Sequence, residues 1–489
     1  MLARNGLFSL AGSVIPVLAT IVTLPFLLEL IGSERYGALA LAWLILVYSG
    51  QIVTGLGTAL THSVARSAED DGVSAEDTIL TGIAVSLPLN LATAVLAAGA
   101  SWVFFAHYFD VGEDLRGELL ESVWLIGVST FVSGIMQTCY SALIGKERFP
   151  TASVALMVGN GGLPVLALAA AYFVGPEMTA LLAGTLVSRL LGFALAAFDL
   201  WRSLLRGKRA RFVRDRSRQL LRFGFWITVI AITAPVLVTL DRLVIGAQIG
   251  AAAVAAYTIP YQIISRLQLI PQSAINVIFP RLSVAQGERA RTMAFHYAVL
   301  MSGLFAPIII GLIFLVEPLL GLWLGDNLDP RSAQVALILL CVFLLTAITH
   351  ASVVYLQSQS KGRFVALCQL VEIAPYLGLL IVLASQFGLL GAAFALLIRR
   401  GIEAVIFVHR SEFGFRRFWI TQLPAIGGIA LALVLTPSTE TLIGAIALAI
   451  IVAGATAAAA YAMAPRDFRH LLIEQASKRL GPWRGAQRP

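Results

Sequence analysis

The chain has 489 residues, of which 58% are hydrophobic and 13% charged, with a formal net charge of +8. A mean hydropathy of +0.85 excludes an ordinary soluble domain, because the apolar runs are too many and too long for one water-facing core. The basic excess would point to nucleic acid only on a soluble basic face; between apolar runs it reads as loop charge beside anionic lipid, and no nucleic acid is expected as a partner.

A bilayer core of roughly 30 Å needs about 20 helical residues, since unpaired backbone groups cannot be left in hydrocarbon. About 14 segments meet that length. They run 7–30, 38–62, 79–106, 119–144, 152–174, 178–200, 223–245, 251–279, 294–324, 333–358, 364–385, 388–409, 419–436 and 440–463. The expected fold is therefore an all-α polytopic membrane protein.

The first run follows Arg4, exceeds a signal-peptide core and has no small-residue cleavage site before "GSERYG", so it reads as a retained helix. Pro16 and Pro25 fall in it, Pro235 in the seventh run, Pro260 and Pro271 in the eighth, and Pro307 and Pro318 in the ninth. Each removes a helical hydrogen bond and invites a bend, which suits a moving transporter but is also tolerated in static membrane helices. The third and ninth runs are long enough to tilt or kink.

Basic residues fall in every second gap. With the N-terminus inside, the cytoplasmic gaps hold Arg66, Lys146, Arg148, the run from Arg202 to Arg222, Arg281, Arg289, Arg291, Lys361, Arg363, Arg410, Arg416 and Arg417. The opposite gaps hold only Arg35, Arg116 and Arg331, the bias of a positive-inside topology with both termini cytoplasmic.

The sharpest composition shift is "WRSLLRGKRARFVRDRSRQLLRFG", which separates six runs from the next six and could lie on the inner leaflet as an amphipathic stretch. The expected organisation is an N-terminal lobe over 1–200, a basic cytoplasmic linker over 201–222, a C-terminal lobe over 223–410, two further helices over 411–463 and a basic cytoplasmic tail over 464–489. The lobes carry a faint echo: "LLELIGSERYGALALAW" and "RLVIGAQIGAAAVAAYTIP" both read as a helix end, an Ile-Gly turn and a small-residue helix start. That is either a parallel repeat or a chance match between Gly/Ala-rich segments.

No phosphate loop, HExxH or GxSxG motif is present, and the longest outer gap, His107 to Glu118, is too short for a catalytic domain. No enzyme, catalytic residue or metal site is expected. Cys139, Cys341 and Cys368 lie in apolar runs at no metal spacing and read as packing residues.

What stands out is charge at membrane depth, which costs at least a few kcal/mol and so tends to face protein or water. Arg189, Arg266, Arg399 and Arg400 are such groups, and Arg suits a phosphate or diphosphate because its planar fork stays charged and binds two oxygens together. They are the candidate substrate-binding residues, with structural pairing as the competing reading: Arg399 and Arg400 stand at i,i+4 and i,i+3 from Glu403, and one carboxylate cannot fully pair both. Glu372, Glu403 and Asp241 are candidates for ion coupling, since burial permits proton exchange by a carboxylate. His62 and His350 read as hydrogen-bonded interior residues. Gln51, Gln137, Tyr140, Gln262 and Gln357 either meet sugar hydroxyls or join helices.

The opening "FSLAGSVIPVLATIVTLPFLLELIGSERYGALALAWLILVYSGQIVTGLGTAL", the "LDRLVIGAQIGAAAVAAYTIPYQI" after the basic segment, "EPLLGLWLG" and "SQSKGRFVALCQLVEIAPYLGLLIVLASQFGLLGAAFA" together resemble bacterial polysaccharide flippases. These belong to the multidrug/oligosaccharidyl-lipid/polysaccharide exporter superfamily, and the likeness runs in order along nearly the whole chain. The resemblance implies two six-helix lobes around a central cavity plus two C-terminal helices. It implies movement of a polyprenyl-diphosphate-linked oligosaccharide from the inner to the outer leaflet of a bacterial inner membrane, by alternating access driven by an H⁺ or Na⁺ gradient and without a cofactor. A polysaccharide polymerase and chain-length proteins are candidate partners. The alternatives are a multidrug antiporter of the same superfamily, which would favour a cavity of acids and aromatics, and a glycan polymerase or ligase.

Overall fold

The computed structural model describes residues 2–51, 54–66, 73–208, 210–285, 287–436, 441–465 and 467–469. Helices α1 (Leu2–Gln51), α2 (Thr54–Arg66), α3 (Ala75–His107), α4 (Glu113–Gly145), α5 (Phe149–Leu156), α6 (Gly162–Phe173) and α7 (Met178–Leu200) come first. They are followed by α8 (Arg214–Gln248), α9 (Ala251–Ile264), α10 (Leu269–Val284), α11 (Gly287–Leu324), α12 (Pro330–Ser358), α13 (Gly362–Ser411), α14 (Phe415–Leu435) and α15 (Leu442–Met463). No strand occurs among the described residues. The described parts of every expected apolar run are helical apart from a residue or two at the ends. Most of the expected basic tail, 470–489 with Arg466, lies outside the described residues, as does Arg209.

Ten helical stretches among the described residues are long and apolar enough to cross a membrane. Two of them are bent by a glycine. Gly32 (φ 74) divides α1, and Gly388 (φ 58) divides α13 into arms 362–387 and 389–411, where the sequence places a boundary between two runs. Large apolar side chains point outward along these helices, as at Phe173 (81% exposed) and Ile443 (81%), which is stable only against lipid tails.

The chain forms two compact units, Met1–Thr258 and Ile259–Pro489. In the first, Leu56, Leu60 and Val64 of α2 pack with Ile79 of α3, Cys139 and Leu143 of α4, Ala155 of α5 and Leu200 of α7. Polar groups join helices across this core: Trp43 Nε1 donates to Thr185 Oγ1 (2.9 Å) and Thr61 Oγ1 to the Ser141 carbonyl (2.9 Å). Arg148 grips Asp199 through Nε (2.9 Å) and Nη2 (2.7 Å).

The basic segment expected as a linker lies within this first unit. After a π-helical turn at Trp201–Leu205 it is pinned to the N-terminus of α3. Lys208 pairs with Glu76, the Arg211 amide donates to Asp77 (2.6 Å), and the Val213 amide donates to Thr81 (3.0 Å). The two echoed motifs both use a left-handed glycine at the turn, Gly32 (φ 74) and Gly250 (φ 109). Their helix starts meet at Gly37, where an added Cβ would lie 1.8 Å from the Ala251 carbonyl oxygen.

In the second unit α11 packs on α12, α14 and α15, and α12 on α13, through Ile309, Ile313 and Phe314 of α11 and Leu339, Leu340 and Ile348 of α12. Asp329 caps α12, accepting from the Arg331 amide (2.9 Å) and pairing with its guanidinium (2.6 Å). The Arg331 hydrogen bonds hold the Asp329 carboxyl below the usual carboxylate range. This lowered pKa favours the folded state above the ordinary carboxylate range, and the benefit is lost as pH falls through the lowered value.

Gly37→Ala should lower the melting temperature of the detergent-solubilised protein, whereas Gly99→Ala, where nothing lies within 4 Å of the added Cβ, should not. Gly388→Val should cost about 1–3 kcal/mol through its left-handed backbone alone. The melting temperature of Asp329→Asn should depend less on pH in the acid range than that of the unaltered chain.

Candidate functional site

The densest charge inside the apolar helices is built on α13. The Gly388 break folds this helix back on itself, so that Glu372 of the first arm meets Arg399 of the second, Oε1 to Nη2, at 2.8 Å. One residue on, Arg400 Nη1 holds Glu403 Oε2 at 2.6 Å within the same arm. Arg399 also lies over the Tyr376 ring, 4.9 Å from its centroid. From the sequence, Glu403 alone cannot fully pair both guanidiniums, and the fold-back delivers a second acid, Glu372, to Arg399. Arg399 and Glu403 are both 5% exposed, and a lone charge there would be far costlier than the pair.

Two concavities flank this quartet. A cavity of about 220 Å³ is lined by Gln268, Gln272, Thr346, His350, Gln369, Arg400 and Glu403, with Phe305 and Phe343 as apolar walls. An apolar groove of about 540 Å³ runs between the two arms of α13, with Leu367, Val371, Ile402 and Ile406 along it and Glu372, Arg399 and Glu403 among its lining. Glu403 is common to both.

Arg266 sits in the 3-10 turn Ser265–Gln268 that interrupts the helix between α9 and α10. It is exposed and has no ion-pair or hydrogen-bond partner among the described residues, while Gln268 two positions on reaches the cavity.

Arg189 and Asp241 belong to the first unit and are not part of this cluster. Arg189 is 3% exposed on α7, and its Nη1 donates to Asn160 Oδ1. Asn160 stands in the π-helical turn Met157–Gly161 of the glycine-rich "VGNGG", a kind of helix defect frequent at functional sites. Among the described residues no carboxylate pairs with Arg189. Asp241 is 1% exposed, accepts from Tyr257 Oη (2.7 Å) and its neighbour's amide (2.8 Å), and has Arg242 Nη1 at 3.9 Å.

Tyr376, Gln268, Gln272, Gln369 and Asn160 are site residues that sequence reasoning does not single out. Gln369 and Tyr376 stand three residues before and four after Glu372, a helical-face signal that was available; Asn160 is flagged only by its glycine neighbours.

Arg399→Gln should destabilise the solubilised protein, and the added change Glu372→Gln should recover part of the loss. A double-mutant cycle on thermal or denaturant unfolding should give a coupling of about 0.5–3 kcal/mol.

Comparison with known proteins gives likenesses in family, sequence and fold. A family model described as "Polysaccharide biosynthesis protein" matches residues 2–286, more than half of the chain. A Shigella flexneri protein described as "Putative O-antigen transporter" is 25% identical over 411 residues, covering 82% of this chain and 96% of that one. Among solved structures, the lipid II flippase MurJ in an inward closed conformation superposes with a TM-score of 0.70 at 14% identity, over 93% of this chain and 98% of that one. An inward-facing multidrug resistance MATE transporter gives 0.69 at 16% identity, over 84% and 98%. At these identities the structures speak for the fold alone, which this chain shares with the two solved membrane transporters. With the extent of the family match, it follows that the chain belongs to the polysaccharide biosynthesis protein family of multi-pass membrane proteins and has a transporter fold.

Proposed function

We propose that the protein moves a polyprenyl-diphosphate-linked oligosaccharide repeat unit from the cytoplasmic to the outer leaflet of a bacterial inner membrane, by alternating access, for surface polysaccharide synthesis. The observation that carries this reading is cationic charge at membrane depth without matching acid: among the described residues neither Arg189 nor Arg266 has a carboxylate partner. A diphosphate supplies the missing negative charge in the bidentate form that guanidinium prefers. Arg400 lines the polar cavity, and Arg399 stands beside the apolar groove.

Glu372 and Glu403 take the role of coupling groups. Each carboxylate competes with the substrate phosphate for its Arg, so binding of a proton or Na⁺ to either acid changes the hold of that Arg on the substrate. Asp241, enclosed by Tyr257 and Arg242, is the corresponding acid of the first unit. Both termini are cytoplasmic in this reading, as the distribution of basic residues favours. The product would pass to a polymerase and its chain-length partners at the outer face.

Mass spectrometry of lipid-linked glycans with leaflet accessibility, in the host with and without the gene, tests the reading. A completed repeat unit should accumulate at the cytoplasmic face with loss of surface polymer. Outward accumulation would favour a polymerase or ligase, and unchanged lipid-linked glycans with altered drug susceptibility would favour an antiporter. At matched expression, Arg266→Ala and Arg189→Gln should each lower export about tenfold, the equivalent of roughly 1.4 kcal/mol of lost charge-assisted bonding.

A further inference from the structure

The cavity of about 220 Å³ in the second unit has a lining rich in amides. Three carboxamides, Gln268, Gln272 and Gln369, line it with the His350 imidazole, and none of these four side chains makes a hydrogen bond among the described residues. Amides donate and accept at once, as a polyol does. Thr346 and Thr349, also in the lining, donate their hydroxyl protons to the Val342 (2.8 Å) and Leu345 (2.6 Å) carbonyls, so they offer lone pairs only. The Nε of Arg400 is buried without a hydrogen-bond partner among the described residues.

The charges in the lining cancel, since Glu403 is held by Arg400 at 2.6 Å. A cationic ligand finds no uncommitted acid, and an apolar chain would strand the amides and the guanidinium. Phe305 and Phe343 provide flat apolar walls. A neutral, hydroxyl-rich ring with apolar faces meets every one of these demands, and the volume, below that of drug-sized pockets, admits about one such ring.

We propose that this cavity is a saccharide subsite that holds the sugar attached to the diphosphate of the transported lipid. Gln268, Gln272 and Gln369 bind its hydroxyls, Arg400 Nε takes a ring-substituent or glycosidic-phosphate oxygen, and Glu403 separates the sugar from the apolar groove on its other side. The proposal rests on the reading of the substrate as a lipid-linked oligosaccharide and adds the place where its first sugar is recognised.

The test uses the full chain in nanodiscs. Affinity is measured by native mass spectrometry for polyprenyl diphosphate and for polyprenyl diphosphate carrying a single glucose, galactose or N-acetylglucosamine. The unaltered protein should bind at least one sugar-bearing lipid about tenfold more tightly than the bare one, and Gln268→Leu/Gln369→Leu should reduce that ratio to near one. Bare lipid bound but no member of the set preferred overturns the subsite and leaves the substrate reading standing; no binding of any of these lipids overturns both. A preference that survives in the double variant also overturns the subsite, because the sugar is then recognised elsewhere. If that variant does not fold, the same ratio in Gln272→Leu replaces it.

Discussion

A guanidinium buried in a membrane helix needs a charged or hydrogen-bonding partner where it stands, and that constraint organises α13 in the second unit. Arg399 and Arg400 are adjacent in sequence and so point to different sides of their helix, one toward the apolar groove and the other toward the polar cavity. A single acid one turn away cannot serve both. The chain meets the demand by breaking α13 at Gly388 and returning an earlier stretch with Glu372. Backbone conformation and charge balance are therefore one problem: the left-handed glycine exists where it does because the acid must arrive on the far side.

The first unit meets the same constraint differently. Arg189 faces an amide rather than a carboxylate, and the amide is presented by a helix wound one residue wider than normal. An Asn partner satisfies a hydrogen bond without cancelling charge. The unit thus retains positive charge at a buried position, where α13 of the second unit holds balanced pairs. Asp241 shows the reverse arrangement, an acid closed in by a phenol and a neighbouring Arg.

How much of this was legible follows from the range of each interaction. The apolar runs were readable because lipid selects them residue by residue, and even the break at Gly388 shows as a glycine at the start of a run. The Arg400–Glu403 pair was readable as an i,i+3 spacing. The Arg399–Glu372 pair was not, since 27 residues and a reversal of direction separate its members. Local periodicity says nothing about such a meeting. The role of Asn160 was hidden for another reason: a π turn shifts the register of every side chain beyond it, so a regular 3.6-residue projection misplaces the amide. The cavity glutamines lie on three separate elements and become a set only when those elements pack.

The pinned basic segment has a consequence for how the chain tolerates change. A connection fastened at Lys208, Arg211 and Val213 behaves as a series of short loops rather than one long one, and each fastening shares the entropic cost of ordering with its neighbours. Residues added between Arg206 and Lys208 would lengthen a loop at small cost. The same residues added between Arg211 and Val213 would throw the second amide out of step with Thr81 and loosen the start of α8. Evolutionary length variation in this stretch should therefore be one-sided, accumulating before the first fastening and not between the last two.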